Sequence, residues 1–288
     1  MNALHHLLGD FKTGATPVEF VRERLGFEPD PTQAAVLNSK VLRGILNCCR
    51  QWGKSTTTAA KAVHHAFHNP GSLTLVLSPS ERQSAEFIRK AATFLQSLNI
   101  KPRGDGDNDV SLLLPNRARI IGLPGKEKTI RGFSGVTLLI VDEAARVPDS
   151  LYYSLRPTIA TCPNASIWLM STPNGLSGFF HACWTSDREE WYRVSVPATE
   201  CPRISAGFLE EERRALGERW FAQEYLCQFA EPEAALFANH ELAALLDQEL
   251  PPLGIASFDP LRPPVCSAKS ADPDDEPDPY RPLYLPIY

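Results

Sequence analysis

The sequence predicts an α/β fold in which a mostly parallel sheet is flanked by helices. Two observations carry that prediction. Apolar runs of strand length alternate with stretches of helical periodicity, and one run, Thr137-Leu138-Leu139-Ile140-Val141, reads as a strand buried on both faces. A third observation is arithmetic: 288 residues, 43% of them hydrophobic, can build one large domain with appendages.

The elements follow in order. Thr16, Pro17 and Glu19 form a capping-box pattern that opens a helix over Pro17–Leu25, and a second helix covers Thr32–Asn38. Strands are expected at Val41–Asn47, Leu73–Leu77, Ser111–Leu114, Arg119–Gly122, Val136–Val141, Ile167–Met170 and Tyr192–Val196, with helices at Lys54–Phe67 and Glu81–Leu98. Ser205 caps a helix that Gly217 stops after Leu216, and Glu218–Phe229 has a further helical pattern. We divide the chain into a domain over residues 1–236, a helical linker over 237–258 and a tail over 259–288. The tail has three basic and six acidic side chains among recurring prolines, a composition expected to be disordered.

Composition excludes several classes of function. The 29 basic and 34 acidic side chains leave a net charge of −5, so any contact with DNA must be local. No run approaches the length of a membrane span, and Met1-Asn2-Ala3-Leu4-His5-His6 lacks the basic and apolar parts of a secretion signal, so no membrane partner is expected. Seven cysteines without a Cys-x-x-Cys spacing suit a reduced cytoplasmic setting without structural zinc. His64 and His68 share a helix face, but the other ligands of a zinc site are missing, so packed or surface histidines are expected.

The first chemical feature lies where a strand meets a helix. Ile45-Leu46-Asn47 runs into Cys48-Cys49-Arg50-Gln51-Trp52-Gly53-Lys54-Ser55-Thr56, and the helical pattern begins at once. A phosphate-binding loop needs this setting: the helix start offers unpaired N–H groups, the lysine a mobile charge and the hydroxyl a ligand for Mg²⁺. Cys48 stands where the glycine-rich form has its first glycine, and a Gly-Lys-Ser at a helix start without a ligand is the bland alternative. The second feature is Asp142-Glu143 at the tip of the buried strand, expected beside the phosphate loop. Asp142 suits the Mg²⁺ shell and Glu143 the attacking water, the alternative being a simple helix cap.

With these motifs in order, the chain resembles the large terminase subunit of tailed bacteriophages over roughly Phe27 to Ala230. That family carries a deviant loop of the form Arg50-Gln51-Trp52-Gly53-Lys54-Ser55, so Cys48 becomes part of the match. Pro31-Thr32-Gln33, Leu75–Ser80, Ile130-Arg131-Gly132, Leu155-Arg156-Pro157, Ser171-Thr172-Pro173-Asn174-Gly175 and Phe221-Ala222-Gln223-Glu224-Tyr225-Leu226 also match. The resemblance implies an ASCE, RecA-like P-loop fold that hydrolyses ATP with Mg²⁺ and drives double-stranded DNA into a procapsid.

The same resemblance implies roles by position. Gln33 would read adenine, and Gln51, Trp52, Gly53, Lys54, Ser55 and Thr56 would hold the nucleotide. Arg50 would stabilise the transferred phosphoryl, Ser171, Thr172, Pro173 and Asn174 would couple phosphate state to movement, and Arg131 would serve a neighbouring subunit in trans. The implied partners are DNA, a portal protein, a small terminase subunit and other copies of the chain in a ring, in the bacterial cytoplasm and transiently at the procapsid portal. Large terminases usually continue into an RNase H-like nuclease. Only about fifty residues follow Leu236, so cleavage is not expected from this chain, the nuclease being either encoded separately or lost. The competing readings are a helicase-type translocase, disfavoured by the lack of a second motor domain, and a prophage remnant that binds nucleotide without packaging. Lys101–Arg131 carries seven basic and four acidic side chains, a local surplus that suits phosphates or a plain solvated face equally.

Overall fold

A computed structural model describes residues 16–106, 110–123, 125, 132–187 and 190–230. The expected linker and tail, and Arg131, lie outside them. Helices α1 (Pro17–Leu25) and α2 (Pro31–Asn38) lead into strand β1 (Arg43–Cys48), helix α3 (Lys54–His68), β2 (Leu73–Leu77), α4 (Glu81–Ser97), β3 (Ser111–Leu113) and β4 (Arg119–Leu123). Then come β5 (Leu138–Asp142), α5 (Asp149–Leu155), β6 (Ser166–Ser171), α6 (Gly178–Thr185), β7 (Tyr192–Val196) and α7 (Ala206–Glu224). No described helix is long and apolar enough to cross a membrane.

The seven strands form one sheet in the order β3-β4-β2-β5-β6-β1-β7. Every neighbouring pair is parallel except β3 with β4. Because side chains alternate across a strand, each central strand feeds two cores. Leu46, Val76, Ile120, Ile140 and Met170 enter the face covered by α1 to α4, while Ile45, Leu75, Ile121, Leu139 and Leu169 enter the other, with Tyr152, Leu155, Phe179 and Phe180. Gly44 must be glycine in this sheet, since a Cβ there would collide with the buried Trp168 ring of β6. Lys61 spans α3 and α2: its ammonium donates to the carbonyls of Val36, Leu37 and Ser39 and sits 4.5 Å from the Trp168 ring centroid. Burial pulls its pKa down to about 8.

The predicted parallel α/β sheet is present, and β2, β7 and α1 have the predicted ends. The acidic tip lies beside the phosphate loop as expected, with one intervening strand. The acidic strand β5 does not neighbour the phosphate-loop strand β1, because β6 lies between them and pairs with both. Asp142 at the tip of β5 still reaches the loop, 3.1 Å from Ser55 Oγ. Helices α5 and α6, only seven and eight residues long, have no counterpart among the predicted elements. The start of α6 is held by a distant side chain, the Phe179 N–H donating to Asp149 Oδ1 at 2.9 Å, which no local pattern reveals.

The break expected at Gly217 is present as a non-helical residue inside α7 (φ 76°, ψ 162°). The second arm ends at Glu224 rather than Phe229, because Tyr225 to Cys227 are drawn onto the sheet: Ala198 N–H donates to the Tyr225 carbonyl at 2.7 Å and Asn47 Nδ2 to that of Cys227 at 2.8 Å. The histidines are packed as expected, with the His64 and His68 rings 4.3 Å apart against Phe20 and His65 Nε2 2.8 Å from Thr137 Oγ1.

Candidate functional site

Strand β1 delivers the chain to a loop that must reverse before α3 begins. Gln51 (φ 65°) and Gly53 (φ 100°) adopt left-handed backbone for that turn. Gly53 occupies the cap position of α3 without a capping side chain, so the first N–H groups of the helix face the loop's mouth uncapped. The loop is anchored at both ends. Cys49 N–H donates to the Val196 carbonyl at 2.9 Å, tying it to β7, and the Trp52 carbonyl accepts from Gln33 Nε2 at 2.8 Å and from Arg203. Lys54 is buried, its Nζ donating to the carbonyls of Cys48 (2.9 Å) and Cys49 (3.1 Å). Gln51 is exposed, with Ser55 and Thr56 half-buried on the first turn of α3.

Across the mouth, Ser55 Oγ donates to Asp142 at 3.1 Å (Oδ2) and 3.3 Å (Oδ1). Burial, reinforced by the charge of Glu143, pushes the Asp142 pKa up to about 6 against the opposing pull of the Ser55 hydrogen bond and Lys54. Ser55 and Asp142 together offer the hydroxyl and carboxylate oxygens that a hard divalent cation takes. These side chains fit Mg²⁺. Glu143 takes left-handed backbone (φ 50°) directly after the strand, which turns its side chain away from that of Asp142 toward the end of β6. There its Oε2 accepts from Ser171 Oγ at 3.4 Å and from Arg146 at 3.2 Å.

Arg146 reaches further. The same guanidinium donates to Thr172 Oγ1 at 3.0 Å and to Glu224 Oε1 at 2.9 Å, while the other oxygen of Glu224 accepts from Arg50 Nε at 2.7 Å. Ser171, Thr172 and Pro173 are buried, and Asn174 is exposed with its amide on the Ala145 carbonyl at 3.3 Å. On the β7 side of the loop a cleft of about 640 Å³ is lined by Arg50, Gln51, Arg203, Phe208 and Tyr225, among others.

Residues 45–244 match the family model described as terminase large subunit, T4likevirus-type, N-terminal. The chain belongs to this family. The terminase large subunit of Thermus phage G20c is 25% identical over 262 residues, which cover 79% of this chain and 54% of that protein. The chain thus spans about half the length of the curated relatives it matches. Among solved structures, the large terminase ATPase domain of Thermus phage P74-26 superposes with a TM-score of 0.67 at 20% identity, covering 75% of this chain and all of that one. The large terminase of a thermophilic bacteriophage, solved in complex with ATP-gamma-S, superposes at 0.58 and 14% identity, covering 74% of this chain and 51% of that one. These neighbours share the P-loop fold expected from the motifs.

Within this terminase fold, Lys54, Ser55, Asp142, Glu143, Ser171 and Thr172 converge from three strand ends. Arg50 is in the loop as expected but turned toward Glu224. Gln33 is buried; its Oε1 accepts from Asp30 N–H at 3.0 Å and its Nε2 donates to the Trp52 carbonyl at 2.8 Å, so its amide supports the terminase loop. Arg146, Glu224 and Arg203 have no role assigned from sequence. Arg146 has a local signal, as a cation three residues beyond Glu143 and so one short turn away, and Glu224 lies in the matched motif Phe221–Leu226.

Proposed function

We propose that this terminase chain binds Mg²⁺-ATP and hydrolyses it as the motor subunit that drives double-stranded DNA into a phage procapsid. The observation that carries the reading is the meeting of Lys54 and Ser55 with Asp142 and Glu143 across one mouth, with Ser55 and Asp142 3.1 Å apart. The thermophilic-phage terminase solved with ATP-gamma-S shares this fold.

The roles follow from chemistry. Phosphate oxygens are stronger acceptors for an ammonium than neutral carbonyls, so Lys54 exchanges the Cys48 and Cys49 carbonyls for the β- and γ-phosphates. The N–H groups at the start of α3 bind the same oxygens. Mg²⁺, held by Ser55 and Asp142, would neutralise charge on the phosphates. Glu143 is the carboxylate placed to accept a proton from the attacking water once nucleotide is bound. The base lies in the cleft beside Phe208 and Tyr225, with Gln33 bracing the loop from behind. Arg131 acts in trans on the neighbouring copy of a ring seated on a portal, the segment Ser171–Asn174 couples hydrolysis to movement, and a small terminase subunit and a nuclease complete the assembly.

The test is a pair of variants. Lys54→Ala should lose about tenfold or more in nucleotide affinity, since a charge-assisted contact contributes about 1.5–3 kcal/mol. Glu143→Gln should bind nucleotide like the parent and lose most turnover. Unchanged affinity in the first variant, or equal loss of affinity and turnover in the second, sinks the assignment.

A further inference from the structure

Resting on the ATPase reading, one relationship goes beyond it: the carboxylate assigned to the water is held by an arginine that is also held elsewhere. Arg146 divides its guanidinium among Glu143 Oε2 at 3.2 Å, Thr172 Oγ1 at 3.0 Å and Glu224 Oε1 at 2.9 Å. Glu224 in turn divides its two oxygens between Arg146 and Arg50, the latter at 2.7 Å. The Glu224 side chain is only 10% exposed and that of Arg50 is 64% exposed. The carboxylate is therefore fixed in the fold, while the loop arginine is free to turn toward an incoming phosphate.

We infer that Arg146 is a positioning residue that clamps Glu143 until nucleotide draws Arg50 off Glu224, whereupon Arg146 shifts onto both oxygens of Glu224 and releases Glu143. A planar guanidinium pairs best with a carboxylate through two parallel bonds, an arrangement that Arg50 now denies it by occupying Oε2. A triphosphate offers Arg50 a more highly charged acceptor than Glu224 does. Once Arg50 leaves, Glu224 becomes the better partner for Arg146, and both Glu143 Oε2 and Thr172 Oγ1 lose a donor together. Release of the base and a signal to the buried end of β6 are then one event.

A suppressor experiment on the full chain tests this. Turnover of Mg²⁺-ATP is measured beside affinity for a fluorescent ADP analogue, with melting temperature as a check on folding. Glu224→Gln, whose amide no longer draws Arg146 away, should lower kcat roughly tenfold with affinity within about twofold of the parent. Arg146→Gln should turn over at least as fast as the parent, and adding Glu224→Gln to it should cost nothing further. If Arg146→Gln folds poorly, Arg146→Met, which keeps the length of the side chain but has no donor for Glu143, takes its place in the same pairing. The inference is overturned by a Glu224→Gln variant with parental kcat, or by a double variant as slow as Glu224→Gln alone, which is the pattern of a merely structural network. A parent without turnover removes the ATPase reading as well. Parental turnover with an unaffected Glu224→Gln removes the clamp alone.

Discussion

Gln33 donates through Nε2 to the Trp52 carbonyl at 2.8 Å, so the side chain that sequence motifs assign to the base instead holds the phosphate loop from behind. Its Oε1 is also engaged by the Asp30 N–H, and the cleft on the β7 side of the loop is where the proposed function places the base. The rings of Phe208 and Tyr225 meet edge-to-face there, 6.1 Å between centroids.

The first expectation follows from that cleft. An aromatic contact with a base contributes about 1 kcal/mol, so Phe208→Ala should weaken ATP binding roughly fivefold. Inhibition by inorganic tripolyphosphate, which has no base, should stay at the parental value. A parallel loss for both ligands would mean that Phe208 supports the loop rather than the base.

The second concerns Arg131, which lies outside the described residues. An arginine supplied in trans raises the rate of other nucleotide hydrolases by about 10³–10⁵. Turnover should therefore rise more steeply than protein concentration. A mixture of Arg131→Ala with Glu143→Gln should regain activity that neither variant shows alone, through interfaces that pair an intact Glu143 with an intact Arg131. Silence of the mixture, once co-assembly is demonstrated, would take the trans role from Arg131.

The third is a pH dependence of stability set by α3. Burial, with the charges of His68, Lys61 and His65, lowers the His64 pKa to about 3, and burial with Lys61 lowers that of His65 to about 4. Between those values and the ordinary 6.5 the unfolded chain binds more protons, so the stability these two groups contribute is complete above pH 6.5 and declines as pH falls toward 4 and then 3. Asp142, raised to about 6, works in the opposite direction between pH 3.8 and 6. Two histidines against one carboxylate leave a net slope of about one proton, at most about 1.4 kcal/mol per pH unit. His64→Phe should flatten the fall in melting temperature between about pH 6.5 and 5, and an equal fall in parent and variant would contradict the assignment.

How much of this is legible in the sequence depends on whether the cause is local. The loop at Gly53-Lys54-Ser55 and the tip at Asp142-Glu143 are readable because each is a strand end followed at once by a turn, and the parallel sheet because its strands alternate with helices. The order of β5, β6 and β1 is not, since strand order depends on packing across the whole sheet. Glu224 cannot be given a role from sequence because its partners lie 78 and 174 residues away in the chain. The brace that Gln33 gives the loop is hidden for a related reason: its side chain completes a capping box with Asp30, and only the fold brings Trp52 against it.

The bend at Gly217 gives α7 two arms with different neighbours. The first arm brings Phe208 to the cleft on the β7 side of the loop, and the second ends in Glu224 between the two arginines. A backbone angle of φ +76° is strained for any residue with a β-carbon, so the angle between the arms depends on a single glycine. One bent rod thus carries an aromatic ring on one arm and a carboxylate between two guanidiniums on the other, and under the proposed function a ligand must span both arms to engage the two.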